Sequence, residues 1–277
     1  MNADDFGLTL GVNRAVMELY QKDVLTSATL MARAPATEDA VALALKTPTL
    51  GVGCHIVLVD GEPQLPVHEI PTLVDQKTGR FYPSLGAFLG RLLLGRIRSG
   101  EIEAEAEAQI ASLESRGLRL THFDTHKHTH MFRAVLSPLL RAARAAGIRA
   151  VRNPFEPAWS CRATPDAPLV RRIEVDLLRF FEPAFHRIVA EEGFATTSGA
   201  LGVLATGTLN ATTIPSLLGS IPPGTWELVT HPGYDDSDLD QARTRLKASR
   251  EVERQALLAI RPPDGVELVS FAHLGKL

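Results

Sequence analysis

The nine residues HFDTHKHTH, from His122 to His130, place His122, Asp124, His126, His128 and His130 at every second position. Four of the nine histidines of the chain lie in this run. In an extended strand alternate side chains share one face, so the run would present a carboxylate among four imidazoles. Burying such a face is costly unless a cation organises it, and His-rich tracts commonly bind metal. A zinc–nitrogen bond is about 2.1 Å, so two ligand atoms on one ion lie within roughly 4 Å of each other. An extended run of this length, at ~3.3 Å per residue, reaches far beyond that. One or two of these residues are therefore expected to ligate, with the others touching substrate or holding the ligands from behind. Further ligands must come from elsewhere, and Asp5 and His55 are the candidates.

Strands must position these groups, and the chain supplies them between helical stretches. Residues 24–32, 50–59, 118–124, 148–152, 194–205, 226–231 and 266–273 are apolar or β-branched and predict strands. Helices are predicted over 13–22, over 101–116 with Ser99 as N-cap and Gly117 just past the end, over 134–146 running into Gly147, and over the charge-laced 239–260. Strands alternating with helices predict βαβ units and a parallel sheet. Chemistry-capable side chains gather at or just after predicted strand ends: Asp4 and Asp5, His55, Asp124 with His126, Arg152, and His231 before Pro232-Gly233. A (β/α) barrel keeps its active site there. Neither a repeat nor a linker divides the chain, so residues 1–277 are read as a single α/β domain.

The bulk properties narrow the function classes. A net charge of -3, with no basic tract interleaved with aromatics, gives no basis for nucleic-acid binding. Two cysteines, Cys54 and Cys161, make neither a disulfide framework nor a four-thiolate zinc site. No signal peptide and no bilayer-length apolar run is visible, so a cytoplasmic location is expected.

Four short stretches carry a family resemblance: NADDFGLT (2–9), GVGCHIVL (51–58), THFDTHKHTHM (121–131) and THPGY (230–234). Together, in family order and at family-like spacing across nearly the whole chain, they resemble the signatures of the YdjC-type (ChbG-like) carbohydrate deacetylases. HIVLVDGEPQLP (55–66) further resembles the hopanoid-biosynthesis-associated branch. The resemblance implies a distorted (β/α) TIM-like barrel and one divalent metal ion, held by motif position through Asp5, His55 and His126. It also implies hydrolysis of an N-acetyl group from an amino sugar, in an N-acetylglucosamine-containing saccharide or glycolipid. Two imidazoles favour zinc, while the carboxylate admits magnesium or manganese. Family members carry several apolar residues before the first motif, whereas only Met1 precedes Asn2 here. The first strand is accordingly expected to be a truncated stub, with Asp4 and Asp5 weakly anchored.

Amide hydrolysis then assigns roles. A general base must take the proton of the attacking water, and Asp4, adjacent to the ligand Asp5, suits it. A general acid must protonate the departing amine, and His231 stands at a strand end before a turn. Asp124, His128, His130 and Arg152 are expected to contact sugar hydroxyls or to orient the ligands. The same residues would also serve another metal-dependent hydrolase or isomerase, or a non-enzymatic metal-binding protein. The segment 84–100, SLGAFLGRLLLGRIRSG, carries Leu85, Phe88, Leu89, Leu92 and Ile97 at helical spacing with Arg91, Arg96 and Arg98. It reads as a packed helix, as a homodimer contact, or as a basic amphipathic surface for peripheral contact with a membrane carrying a lipid-linked sugar.

Overall fold

The apolar runs become parallel strands because they are covered on both faces, which removes the alternation a half-exposed strand would show. The computed structural model describes residues 1–164 and 166–274. Its main strands are β1 (Asn2–Phe6), β2 (Ser27–Leu30) and β3 (Gly51–Ile56), and every residue of these three is buried. A short antiparallel hairpin, β4 (Val74–Asp75) and β5 (Arg80–Phe81), stands apart; β6 (Phe123–Thr125), β7 (Gly199–Leu201) and β8 (Trp226–Thr230) complete the sheet. The order is β6-β3-β2-β1-β8-β7, all neighbours parallel. Two isolated bridges, Phe123 to Val151 and Ala150 to Ala195, carry the curl onward from β6 toward the segment before β7. The sheet thus wraps into a distorted TIM-like barrel.

Helices cover it outside: α1 (Leu10–Gln21), α2 (Thr37–Leu45), α3 (Leu85–Leu93), α4 (Ser99–Glu114), α5 (Arg133–Ala145), α6 (Ala158–Arg162), α7 (Leu169–Leu178), α8 (Glu182–Glu191), α9 (Thr213–Gly219), α10 (Ser237–Gln241), α11 (Ala248–Ala259) and α12 (Phe271–Leu274). Gly117 and Gly147 follow α4 and α5 with φ of 90° and 80°, the left-handed conformation that ends a helix. Ser99 is the first residue of α4 rather than its cap, which falls on Arg98.

Several sequence expectations change. The first strand is short, but it is not weakly anchored: Asn2 and Ala3 pair with Ser27 and Ala28 on one side and with Val229 and Thr230 on the other. The motif residues themselves form a central strand. The strand expected at 148–152 reduces to the isolated bridges, and 194–205 is strand only at Gly199–Leu201. The expected strand 266–273 is coil leading into α12, because its backbone is taken by side chains rather than by a ladder. Thr26 Oγ1 donates to the Val269 carbonyl at 2.8 Å, and the Phe271 amide donates to Ser27 Oγ at 3.0 Å. The stretch 239–260 splits into α10 and α11. The segment 84–100 is α3, a turn at Gly95 (φ 65°), and the start of α4.

His122 belongs to this packing and not to the metal face. Its ring stacks on Phe271 at 3.9 Å and 5° from parallel, and a Cβ on Gly53 would come within 2.6–2.8 Å of three of its ring atoms. Burial pushes the His122 imidazole down to about 3, so the folded protein holds it neutral. The unfolded chain takes up a proton there below about pH 6.5, and stability is lost as pH falls through that window. His122→Phe keeps the stacked ring and removes the proton site. Relative to wild type, the variant should gain about 2 kcal/mol between pH 7 and pH 5, read as the difference in urea unfolding free energy at the two pH values. An unchanged difference would mean that His122 takes up its proton in the folded state as readily as in the unfolded chain.

Candidate metal centre

Adjacent residues of a regular strand face opposite ways, yet Asp4 and Asp5 both turn inward. The register of β1 on β2 shifts between Ala3 and Phe6, and Asp5 has φ 61°. The bulge inserts a residue and re-aims its side chain, and aspartate tolerates the left-handed region better than most residues. Both carboxylates are buried, at 2% and 3% exposure.

His55 arrives by ordinary register. It pairs with Asp124 across β3 and β6, so the two side chains share a face, with His55 Nδ1 2.7 Å from Asp124 Oδ1. The Nδ1 proton shared with that carboxylate leaves the Nε2 lone pair facing Asp5, the arrangement that orients metal-ligating histidines. Burial opposes a charge on His55, yet the Asp124 carboxylate together with Asp5 raises it to about 10. His126 follows at once on β6, and there the strand ends: the 3₁₀ segment His126–Met131 contains Lys127 and His128 at φ 58° and 52°. The alternating face expected from 122 to 130 does not form, because two consecutive left-handed residues turn the chain out of the sheet.

Three atoms converge. His55 Nε2 lies 3.3 Å from His126 Nδ1, and Asp5 Oδ1 lies 3.4 Å from each of them. Asp5 Oδ1 is buried and makes no hydrogen bond. Ligands of one ion at about 2.1 Å would sit ~3.4 Å apart in a tetrahedral arrangement and ~3.0 Å apart in adjacent octahedral positions. The triangle fits a divalent cation, with the remaining coordination positions open. Burial works against the charge of Asp5, and the Arg250 guanidinium, with the two imidazoles, overcomes it and holds the carboxyl well below the usual carboxylate range.

A second group, Asp4, His55 and Asp124, also lies close together. Its oxygens are already spent. Arg152 donates to Asp4 through Nη1 at 2.7 Å and Nη2 at 2.5 Å, pairs with Asp124, and donates to Glu227 at 2.7 and 2.9 Å. Thr29 Oγ1 lies 3.1 Å from Asp124 Oδ2 and 3.4 Å from Asp4 Oδ1. This is a wall that braces the centre. Burial raises the Asp4 carboxyl, but the Arg152 charge outweighs it and keeps the group low.

His231 follows β8, with Nε2 3.8 Å from Asp4 Oδ2. Burial pushes it down to about 4, against the pull of Asp4 and Asp5. Its amide donates to Glu253 of α11 at 2.7 Å, and burial drives that carboxyl up to about 8. The loop beyond is pinned by Tyr234, whose ring lies 4.7 Å from the Arg14 guanidinium and 4.1 Å from that of Arg254.

The structure thus brings together Asp4, Asp5, His55, His126, Asp124 and His231. Of the two roles expected for Arg152, contact with sugar or support of the ligands, its position fits the second: it is fully buried among three carboxylates, whose charge it balances. His130 is buried as well, with Nδ1 2.7 Å from Thr125 Oγ1 and Nε2 3.1 Å from the Arg152 carbonyl, contacts that hold the loop after β6. His128 is half-buried beside it, ring centroids 6.3 Å apart. Arg250, Glu253, Glu227 and Thr29 were not legible in the sequence; Arg250 and Glu253 lie in a helix that also buries Arg254, and nothing local singles them out.

The family model described as YdjC-like protein matches residues 1–261. A carbohydrate deacetylase of Geobacillus stearothermophilus is 32% identical over 282 residues, covering 100% of this chain and 98% of that one. A carbohydrate deacetylase of Brevibacillus brevis is 41% identical over 143 residues, 52% of this chain and 54% of its own. In fold, a crystal structure from Enterococcus faecalis V583 superposes with a TM-score of 0.72 at 24% identity, covering 93% of this chain and 89% of that one.

Proposed function

This chain belongs to the YdjC-like family, and from that premise we propose that it is a metal-dependent hydrolase that removes an N-acetyl group from an amino sugar. The observation that carries the reading is the triangle of Asp5 Oδ1, His55 Nε2 and His126 Nδ1, flanked by Asp4 and His231. Two imidazoles beside one carboxylate favour zinc over magnesium or manganese. A divalent ion bound there supplies a Lewis acid that acidifies a water and polarises the acetamide carbonyl. Asp4, kept ionised and oriented by Arg152, takes the proton of that water. His231, neutral at rest and within 3.8 Å of Asp4, is placed to receive that proton and deliver it to the departing amine. Asp124 holds the His55 ring, and Thr29 holds Asp124. Titrating the metal-free protein with zinc while measuring acetate release from N-acetylglucosaminyl substrates tests the reading. Tight metal binding without acetate release would leave a metal-binding protein or a different hydrolase.

The surroundings of the mouth support a reading of the substrate. Ten large apolar side chains are exposed among the described residues, and seven of them lie on α3, α7 and the turns after them: Leu93, Leu94, Leu169, Val170, Ile173, Leu177 and Phe180. α3 lies in the connection that leaves β3 beyond His55, α7 in the one that follows Arg152, and Phe181 just after α7 packs on Phe132 beside the His126 loop at 5.1 Å. Two apolar faces near the mouth, one with Arg91, Arg96 and Arg98 alongside, suit an acetylated sugar carried on a membrane lipid, a glycosylated hopanoid being one such molecule. Among the described residues no helix is long and apolar enough to cross a membrane, so the contact would be peripheral. The protein should sediment more strongly with anionic than with neutral liposomes, less so in high salt or with Arg91→Glu/Arg96→Glu, and should deacetylate a lipid-linked N-acetylglucosamine faster than a soluble disaccharide. Equal rates, no liposome binding and a dimeric mass in solution would give these faces to a second copy of the chain and the site to a soluble sugar.

A further inference from the structure

Arg250 lies in none of the sequence motifs, yet it makes the contact that decides how Asp5 presents itself. It reaches from α11, is fully buried, and donates from Nη2 to Asp5 Oδ2 at 2.5 Å while Nε donates to the Leu246 carbonyl at 3.2 Å. The backbone is shaped around it. The Gly233 amide donates to the Arg250 carbonyl at 3.3 Å, and a Cβ on Gly233 would come within 3.0 Å of Arg250 Cδ and 3.2 Å of its Cβ, so a side chain there would crowd the arginine out.

A carboxylate is free to turn about its last bond and to offer a metal one oxygen or two. With Oδ2 held by the guanidinium, Asp5 has only Oδ1 to offer, and Oδ1 is the atom 3.4 Å from both imidazole nitrogens. Arg152, the other fully buried arginine of the centre, grips Asp4, Asp124 and Glu227 rather than Asp5. Resting on the metal reading above, we propose that Arg250 is a positioning residue of the metal centre: it limits Asp5 to coordination through one oxygen and so sets the geometry and affinity of the site for a divalent cation.

The test compares wild type, Arg250→Met and Arg250→Lys in three measurements: cobalt titration followed by visible absorption, zinc affinity by competition with a chelating indicator, and thermal unfolding without metal. Methionine fills much of the same volume but leaves Oδ2 free, so zinc should bind roughly ten- to a hundredfold more weakly, as when an outer partner of a metal ligand is lost. The cobalt band should weaken as Asp5 gains a second bond and the coordination number rises. Lysine keeps the charge without the fixed fork, and it should recover part of the affinity, remaining about three- to tenfold below wild type. A merely structural ion pair would lower the unfolding temperature of the metal-free variants and leave the cobalt band and zinc affinity of the folded protein at wild-type values; that result overturns the proposal. Should Arg250→Met fail to fold, Arg250→Lys decides on the same two readouts. Failure of the wild-type protein to bind either metal would overturn the metal reading, and this inference with it, which separates the two failures.

Discussion

His126→Ala protein is expected to bind its divalent metal at least tenfold more weakly than wild type, and to lose acetate release in step with metal content at limiting metal. Among the three ligand candidates His126 is the cleanest to remove. Its side chain is 21% exposed, against 2% for His55 and 5% for Asp5, and its Nδ1 faces only His55 and Asp5. Asp5→Ala and His55→Ala should weaken the metal at least as much. Asp5→Ala also strands buried Arg250, and breaking a buried pair costs about 3–5 kcal/mol, while His55→Ala takes a partner from Asp124, which keeps Arg152 and Thr29, so both losses mix binding with folding. His122→Ala, four residues before His126, should leave metal content unchanged, because its ring stacks on Phe271 away from the centre. Metal analysis of the purified proteins decides it: undiminished metal in His126→Ala would remove that residue from the ligand set.

Asp4→Asn should do the opposite, keeping the metal and slowing turnover by roughly 10²–10⁴-fold, the usual worth of a general base. The substitution is nearly isosteric, and an amide oxygen can still accept from Arg152, which also keeps Asp124 and Glu227 as partners. The wall behind the centre should therefore stand. An amide cannot take a proton from water, so the loss should appear in kcat at saturating metal, with metal content equal to wild type. If the variant instead lost its metal and kept its residual rate, Asp4 and Asp5 would have exchanged roles, and the bulge would be aiming the wrong carboxylate at the ion.

Much of this protein was legible before its structure. Alternating apolar and helical periods marked most of the strands and helices, Gly117 and Gly147 marked two helix ends, and the position of Asp4, Asp5, His55, His126 and His231 at strand ends anticipated that the fold brings them together, because each of these is a property of neighbouring residues and of the backbone period they impose. The same local rules misplaced what depends on distant contacts. Period two put the histidines of 122–130 on one face, whereas left-handed residues at Lys127 and His128 turn the chain out of the sheet, and the bulge at Asp5 that turns both adjacent aspartates inward has no period to announce it. Arg152 read equally as a sugar contact or as a support of the ligands, and only the fold makes it the buried counter-charge of carboxylates from β1, β6 and β8. Arg250 reaches Asp5 across 245 positions of sequence. A bulge or a buried ion pair is stable only when the surrounding fold supplies its partners, and partners brought together by folding leave no period in the chain that encodes them.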